Sequence, residues 1–439
     1  MSSGTTSGRA GAHGTLGTAP VFRLGSVTSV HVSGVAEGFG AVAEAFAGNF
    51  KDPGEDAAAV AVFHDGVKVV DLWAGTDVVN QRPMPGDGLM MVASCSKGIT
   101  ATVLAMLAER GMLDPEELVG RYWPDFAANG KERVTLAMVA SHTAGLPYPP
   151  LGTGLRGLDM HRGEAVTRAL AGAAPLWEPG TAMAYHPVTY GTLLDEIVRR
   201  ATGTSIAGHV RALIAEPLAL DMWMGLPDAL IPRVVPGRWE DPSPMQPAEQ
   251  EPPAGSYAAR RQAFLRENPP MDPDFGDPDE VRAHYQAERP AVGAITDARS
   301  LAAMYAALLG PVAGVRLIGA ATLAQVTRPR TDDLEVMTES GTAGPDIRFG
   351  YGYQLHSGSM PGLGPGSFGH TGAGGRLGIA DPDHGIGFGY VCSRMRDIGG
   401  QGDPRWRSLL EAVRTCTSRM RRSRLRRTPE GSAAEAGAT

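Results

Sequence analysis

Cysteine and lysine are scarce in this sequence of 439 residues. Cysteine occurs three times, at Cys95, Cys392 and Cys416. Because this number is odd and the spacings are wide, the sequence argues against a disulfide framework or a zinc site and favours a reducing compartment. Lysine occurs only at positions 51, 68, 97 and 131, and every other basic side chain is arginine. A lysine inside a motif is therefore harder to attribute to chance.

Long hydrophobic runs and an excess of positive charge are also missing. No apolar stretch reaches the roughly 18 residues that a membrane span needs, and residues 1–20 lack the apolar segment of a secretion signal. The net charge of −7 is opposite to that of a typical nucleic-acid-binding protein. The sequence also has no G-x-S-x-G nucleophile elbow. We expect a cytoplasmic protein that binds neither nucleic acid nor a membrane.

The residues that are present indicate a globular enzyme-sized chain with strands near both ends. Hydrophobic residues make up 43% and charged residues 20% of the sequence. Asp65-Gly66 separates two β-like runs and predicts a hairpin. The segment from Lys97 to Arg110 is apolar nearly all round, which predicts a buried helix. Short runs typical of strands return between residues 349 and 392.

The order of these elements predicts a domain organisation. One sheet built from residues 29–96 and 291–416, with a mostly helical domain of residues 97–290 inserted, would bury all of them. Residues 226–290 are rich in proline and predict an irregular excursion that forms a lid or pocket wall. A closing helix is expected over residues 405–416, with a flexible tail at 1–28 and a disordered tail at 417–439.

A serine and a lysine three residues apart begin the apolar helix. Residues at this spacing share one helix face, so the Ser94 hydroxyl and the Lys97 amine would meet at the positive end of the helix dipole. A serine hydroxyl needs a base to become a nucleophile, and burial would lower the pKa of Lys97 so that it could be that base. The alternative is a capping serine followed by an exposed lysine. The near absence of other charge before Glu109 favours the catalytic interpretation.

Two further segments could complete a site. Tyr185 precedes a predicted helix, and its phenol can enter a cleft from there; the alternative is a half-buried tyrosine that packs the loop. Residues 369–375 read GHTGAGG, in which glycines flank a strand-like stretch. Backbone N–H groups there could polarise a substrate carbonyl. The alternative is a glycine-rich loop with a hydrogen-bonded histidine.

Together these segments resemble the serine β-lactamase and penicillin-binding-protein superfamily, most closely its class C-like esterase branch, the family VIII carboxylesterases. S-x-x-K is the first motif of that superfamily, a tyrosine after Pro-Gly its second, and K-T-G or H-T-G its third. Residues 136–146 (LAMVASHTAGL) resemble its LLSHTSGL segment, residues 113–126 its LDLDDPVSRYWPEF region, and residues 375–395 its closing strands. The resemblance runs from about residue 30 to 415 and is interrupted by the proline-rich excursion.

The resemblance implies an α/β (α+β) fold of the β-lactamase/transpeptidase type, with an antiparallel sheet flanked by helices and an inserted helical domain. It implies Ser94 as the nucleophile, Lys97 as its base partner and Tyr185 as a proton shuttle. The backbone N–H groups of Ser94 and Ala373 would form the oxyanion hole. Contacts to the substrate would come from His186, His370, Thr371 and Gly372. This chemistry needs no metal or organic cofactor.

Two departures from the β-lactamases argue against efficient β-lactam hydrolysis. Pro187 stands where those enzymes have an asparagine whose amide contacts the substrate. His370 replaces a lysine that would be a permanent cation for a substrate carboxylate. Both changes are tolerated in the esterases of the superfamily.

We therefore expect a serine hydrolase that acts on a small ester or amide, with carboxylic esters as the first choice. One alternative is an acyltransferase that passes the acyl group to an amine or alcohol in natural-product biosynthesis, since residues 226–290 could shape a pocket for a large acceptor. Others are weak β-lactamase or D,D-peptidase-like activity, and a non-catalytic binding module of the same fold. The sequence leaves the acyl group, the leaving group and the oligomeric state open.

Overall fold

The computed structural model describes residues 21–23, 29–51, 54–240, 251–254, 256–268, 275–337, 347–358, 360, 364–397 and 402–427. Most of the predicted N-terminal tail, the end of the predicted C-terminal tail and parts of the excursion at 226–290 lie outside the described residues. No helix of the described part is long and apolar enough to cross a membrane.

The strands of the described residues are mostly short. They are β1 (Val21–Arg23), β2 (Ser29–Val35), β3 (Ala57–His64), β4 (Val67–Asp77), β5 (Arg82–Pro83), β6 (Met90–Met91), β7 (Ala182–Met183), β8 (Met222–Met224), β9 (Arg238–Trp239), β10 (Ala294–Thr296), β11 (Glu335–Val336), β12 (Arg348–Phe349), β13 (Gln354–Leu355), β14 (Phe368–Gly372), β15 (Arg376–Asp381), β16 (Ile386–Cys392) and β17 (Arg394–Met395).

Helices fill most of the space between these strands. They are α1 (Gly40–Gly48), α2 (Cys95–Glu109), α3 (Val119–Tyr122), α4 (Leu136–Ala140), α5 (Glu164–Gly172), α6 (Thr189–Thr202), α7 (Ile206–His209), α8 (Glu216–Leu218), α9 (Tyr257–Glu267), α10 (Pro278–Gln286), α11 (Ala298–Leu309), α12 (Ala320–Val326) and α13 (Pro404–Arg427). Short 3-10 helices cover Pro124–Phe126, Gly157–Met160 and Asp228–Arg233, and a π-helical segment covers Val210–Ala215.

Ten described strands form one antiparallel sheet drawn from both ends of the chain. Its order is β1-β2-β4-β3-β16-β15-β14-β13-β12, with β5 paired to β4. In the middle of the sheet β3 pairs with β16, from Ala58 opposite Cys392 to His64 opposite Ile386. The predicted Asp65-Gly66 hairpin joins β3 to β4. The predicted fold class is confirmed.

The sheet separates two hydrophobic cores. On one face α11 packs across β16, β3 and β15, and α2 packs against β14. The backbone of α11 can approach closely because β16 has glycines there: a Cβ on Gly387 or Gly389 would lie 2.4 Å from a carbonyl oxygen of α11. The other face is covered by α1 and α13. The sheet and α2 together form the rigid support of the site described below.

Both predicted tails contain regular structure. Residues 21–23 were expected in the flexible tail, but they form β1 and pair with residues 29–31 of β2. The closing helix was expected to end at residue 416, but α13 continues to Arg427. Its apolar stripe continues through Cys416 to Met420, both packed in the second core, and the arginines that follow are good helix formers. The basic composition of this segment concealed the continuing helix.

The proline-rich excursion is more regular than its composition predicts. Residues 226–290 were expected to be irregular, yet they include a 3-10 helix, β9, α9 and α10. The N-cap side chains Ser256 and Asp277 accept hydrogen bonds from backbone N–H groups in the first turns of α9 and α10. Pro278 occupies the first turn of α10, where its missing N–H costs no hydrogen bond.

Candidate active site

Ser94 stands at the start of α2 on a constrained turn. Ala93 before it has a φ of +46°, in the left-handed region that non-glycine residues rarely adopt. Ser94 occupies the N-cap position, yet its hydroxyl caps no backbone N–H of the helix. Ser205, at the N-cap of α7, shows the usual behaviour and accepts a hydrogen bond from the Gly208 N–H. The structure thus rules out the interpretation of Ser94 as a capping residue.

Lys97 is completely buried one turn into the same helix. Its Nζ lies 3.3 Å from Ser94 Oγ, 3.0 Å from the carbonyl oxygen of Pro187 and 3.0 Å from that of Ala291. The interpretation of Lys97 as an exposed lysine is therefore also wrong. Pro187, which cannot offer an amide donor to a substrate, instead supplies the carbonyl that holds the amine.

Burial lowers the pKa of Lys97 well below its ordinary value of 10.5. Its position in the first turn of α2, at the positive end of the helix dipole, also disfavours the ammonium form. A neutral amine has two N–H groups, which the carbonyls of Pro187 and Ala291 accept. The lone pair is then left for the hydroxyl proton of Ser94. This geometry suits a general base.

Tyr185 lies beside this pair. The centroid of its ring is 4.7 Å from Lys97 Nζ, and the side chain is partly exposed. Tyr185 follows β7 in the segment that leads to α6, whose Tyr190 is fully buried and donates a hydrogen bond to the Lys97 carbonyl. The structure thus brings Ser94, Lys97 and Tyr185 together, and their catalytic roles stay predictions.

Sequence reasoning did not single out two aromatic neighbours of Tyr185. The His142 ring centroid lies 4.8 Å from the Tyr185 ring centroid, and the Phe349 ring stacks on Tyr185 at 6.2 Å. His142 has a φ of +65° and is fully buried. It belongs to the SHT sequence within residues 136–146, which carried part of the family resemblance. That segment was the available signal, whereas no signal pointed to Phe349.

The expectation that His186 contacts the substrate is wrong. Its ring is completely buried, with Nδ1 2.6 Å from the Ala184 carbonyl oxygen and Nε2 accepting from the Leu146 N–H at 3.1 Å. Burial lowers the pKa of His186 to about 4, so the ring is neutral. Both nitrogens are used to hold the loop that carries Tyr185. His186 is therefore a structural residue.

The third motif forms the end of β14 next to α2. Gly372 is essential there because a Cβ would lie 2.4 Å from the Val92 carbonyl oxygen and 3.1 Å from Cys95 Sγ. This close approach brings Ala373, which is exposed, towards the start of α2. Residues 370–372 pair only with β15 among the described strands, so their other edge is not occupied by a strand. The predicted oxyanion-hole residues are thus on adjoining segments.

The polar side chains of this motif differ in their surroundings. The His370 ring is buried and its centroid lies 6.0 Å from that of Tyr185. Burial, and then Lys97, lowers the pKa of His370 to about 3, so it supplies no cation at neutral pH. The Thr371 hydroxyl donates to Gln354 Oε1 at 3.0 Å, and its backbone N–H donates to the same oxygen. Gln354 is a supporting residue that the sequence did not indicate.

Two arginines hold the loop that contains Ala373. Arg376 Nη1 donates to the Ala373 carbonyl oxygen at 2.7 Å, and Arg405 Nη2 donates to the Gly374 carbonyl oxygen at 2.8 Å. With these carbonyls fixed, the N–H groups of the loop keep their direction. Arg405 is neutralised by buried ion pairs with Asp403 and Glu55. Neither arginine belongs to one of the three catalytic motifs, so sequence reasoning did not single them out.

A pocket with an empty volume of about 430 Å³, including its open mouth, lies beside Ala93. Its walls are formed by Met91, Ala93, Val234, Val235, Pro236, Gly237, Phe275, His284, Tyr285, Arg376 and Met395. Seven of these residues belong to the excursion at 226–290, which supports the predicted role of that segment as a pocket wall. In the described part of the chain no group of three or more His, Cys, Asp or Glu side chains is arranged to hold a metal ion.

Comparison with known proteins concerns the chain as a whole. The sequence profile of the family described as Beta-lactamase matches residues 42–412. The chain is 34% identical over 370 residues to the Esterase/beta-lactamase LipL of Mycobacterium tuberculosis, a match that covers 81% of each protein.

Solved structures show the same relationship. A family VIII carboxylesterase crystal structure superposes with a TM-score of 0.75 at 32% identity, covering 88% of this chain and all (100%) of the other. EstA from Arthrobacter nitroguajacolicus gives a TM-score of 0.75 at 32% identity, covering 89% of this chain and 99% of the other.

Proposed function

The chain belongs to the β-lactamase family, in its family VIII carboxylesterase branch, and we propose that it hydrolyses small carboxylic esters through an acyl-enzyme on Ser94. The observation that supports this most strongly is the environment of Lys97. Its amine is fully buried, satisfied by two carbonyl groups, and 3.3 Å from the Ser94 hydroxyl. This arrangement favours the neutral base that a serine nucleophile needs.

Acylation begins when Ser94 Oγ attacks the ester carbonyl carbon and its proton passes to Lys97, with Tyr185 as the shuttle. The oxyanion of the tetrahedral intermediate is held by the N–H groups of Ser94 and Ala373. Tyr185 then delivers the proton to the leaving alcohol as the ester C–O bond breaks. The partly exposed Tyr185 ring, whose centroid is 4.7 Å from Lys97 Nζ, supports this role.

Deacylation follows the same path in reverse. A water molecule loses its proton to the Lys97–Tyr185 pair as it attacks the acyl carbon. The Ser94 Oγ–C bond breaks, Ser94 recovers its proton, and the carboxylic acid leaves. The mechanism requires no group beyond the side chains and backbone amides already described.

The third motif favours esters over β-lactams. A β-lactam antibiotic has a carboxylate next to its reactive ring, and His370 is neutral at physiological pH because burial lowers its pKa to about 3. The carboxylate would therefore meet no cation at this motif. A neutral ester does not need one.

The test is hydrolysis of p-nitrophenyl acetate and butyrate by the wild type and by Ser94→Ala. We expect Ser94→Ala to lose at least about a thousandfold in kcat/KM and to lose covalent labelling by a fluorophosphonate. Ser205→Ala is the matched control, since it also removes an N-cap serine but one that caps α7. Turnover by Ser94→Ala at the wild-type rate would refute the role of Ser94.

Acyl transfer to an amine or alcohol is the second candidate. It is favoured by the excursion at 226–290, which contains α9 and α10 and could bind a large acceptor. Product analysis with a chromogenic ester and increasing amounts of a primary amine or an alcohol distinguishes the two reactions. Formation of the free acid alone, with every acceptor tried, would count against transfer.

A further inference from the structure

Arg376 is a buried charge for which the described residues provide no carboxylate counter-ion. Its side chain is only 2% exposed, at the start of β15. Among the described residues no carboxylate lies within ion-pairing distance of it, whereas Arg405 nearby is paired with Asp403 and Glu55. A buried charge is costly unless a partner compensates it. An anion bound next to Arg376 would therefore compensate its buried charge.

The guanidinium has donors to spare. Nη1 is used by the Ala373 carbonyl oxygen, at 2.7 Å. Nε is buried and donates to no acceptor of the described residues. Nη2 makes no hydrogen bond to a described residue, and it lies so close to Gly237 that a Cβ there would be 2.4 Å away. Gly237 thus leaves the room into which this end of the guanidinium extends.

The Arg376 side chain forms part of the wall of the pocket beside Ala93. Arg376 and Ala93 both line it, and none of the described residues in its walls is acidic. His284 cannot compete as a cation, because burial and the nearby Arg289 lower its pKa to about 3. The pocket is therefore electropositive at one point, Arg376, and otherwise mostly apolar.

The position of the pocket indicates which part of an ester would occupy it. The leaving alcohol must reach Tyr185, and neither Tyr185 nor its neighbours His142 and Phe349 line the pocket. The pocket lined by Ala93 and Arg376 would therefore receive the acyl group of the ester. An anion bound there would belong to the acyl chain.

We propose that Arg376 binds a carboxylate at the far end of the acyl group, so that the preferred substrates are monoesters of dicarboxylic acids. This rests on the proposed ester hydrolysis at Ser94. The ester C–O bond breaks and the Ser94 Oγ–C bond forms as described above, while the distal carboxylate stays bound and unchanged. Water then releases the free dicarboxylate. A planar guanidinium with two free donor positions suits a carboxylate better than a lysine would.

The experiment compares mono-p-nitrophenyl adipate with p-nitrophenyl hexanoate, whose acyl chain has the same length without the charge. We expect the wild type to prefer the acidic ester in kcat/KM. Arg376→Gln should lower both rates, because the hydrogen bond to the Ala373 carbonyl is lost, and should lower the acidic-to-neutral ratio by at least about 30-fold. Arg376→Lys should keep part of the preference, since it keeps the charge without the fork.

Arg238→Gln is the control variant. Arg238 follows Gly237 in the chain, but its guanidinium is half exposed and paired with Asp56 at 3.2 Å. We expect the acidic-to-neutral ratio of this variant to equal that of the wild type. If Arg376→Gln lowered kcat/KM equally for both esters, Arg376 would only support the oxyanion loop, and the proposed carboxylate site would be overturned.

Two further measurements separate this proposal from the esterase proposal. With wild-type protein, adipate should inhibit hydrolysis of the neutral ester more strongly than uncharged adipamide, and equal inhibition would overturn the anion site whether or not the variants fold. Calorimetry with Ser94→Ala and monomethyl adipate measures binding without turnover. Binding that depends on Arg376 without any hydrolysis by the wild type would keep the anion site and reject the esterase.

Discussion

Two completely buried lysines show how the same side chain is used in opposite ways. Lys97 lies in the first turn of α2 and faces two carbonyl oxygens and the Ser94 hydroxyl. Lys131 lies in a loop and donates to three carbonyl oxygens, those of Ala128, Ala171 and Ala173. Three acceptors match the three N–H groups of an ammonium, so the site of Lys131 suits the charged form.

The helix dipoles strengthen this contrast. Ala171 and Ala173 are at the C-terminal end of α5, where the negative end of the dipole stabilises a cation. Lys97 is at the positive end of α2, where the dipole disfavours one. Burial lowers the pKa of both lysines, and for Lys97 the pKa is well below its ordinary value. Burial alone therefore does not make a catalytic base; the number of acceptors and the direction of the dipole decide.

Removing the Lys97 amine should have the largest effect on turnover. Lys97→Met keeps a long apolar side chain but has no base, and we expect kcat/KM for p-nitrophenyl butyrate to fall about a thousandfold. The free energy of unfolding should stay the same or rise, because a poorly solvated amine is replaced by a side chain that prefers burial. Steady-state kinetics and urea unfolding measure the two quantities. A variant with most of its activity would remove Lys97 from the mechanism.

Removing the Lys131 amine should do the reverse. Lys131→Met leaves three carbonyl groups between the loop and α5 without their donor, and we expect a loss of about 3 kcal/mol in the free energy of unfolding. The kcat of the folded fraction should stay within about twofold of the wild type, because Lys131 contacts no residue of the site. If kcat fell as far as in Lys97→Met, the proposed division between the two lysines would be wrong.

The smallest expected effect is a change in how stability depends on pH. Between the lowered pKa of folded Lys97 and its ordinary value of 10.5, the unfolded chain binds more protons than the folded one. The free energy of unfolding therefore rises with pH in that window, by at most about 1.4 kcal/mol per pH unit for this group. Lys97→Met should lose this rise, and kcat/KM of the wild type should rise with pH through the same lowered pKa. If the wild type and Lys97→Met had the same pH dependence of unfolding and of kcat/KM, the assignment of a lowered pKa to Lys97 would be contradicted.

The sequence predicted the local part of the site well and its surroundings less well. The meeting of Ser94 and Lys97 follows from helix geometry alone, since residues three apart share a face. His186 was expected to contact the substrate, but its ring nitrogens bond to backbone groups of Leu146 and Ala184. Adjacency in the chain does not determine the direction of a side chain in a loop.

Sequence reasoning did not single out Arg376, because a charged residue at the start of a strand is normally solvated. In the structure it is buried between the loop of Ala373 and the residues around Gly237. Those segments are far apart in the sequence, and no pattern relates them. The same holds for Lys131, because two of its three carbonyl partners come from the C-terminal end of α5.

The sequence by itself determined the sheet drawn from both ends of the chain, the buried helix α2 and the pairing of a hydroxyl with an amine at its start. These features depend on hydrophobic periodicity and on contacts within one helical turn, and both are determined by residues that are close together in the sequence. Only the tertiary structure decided which buried lysine has a full set of acceptors, which lysine faces a hydroxyl, and which arginine lacks a carboxylate partner among the described residues. Charge states and binding sites depend on groups that distant segments bring together. Burial strengthens the electrostatic interactions among those groups.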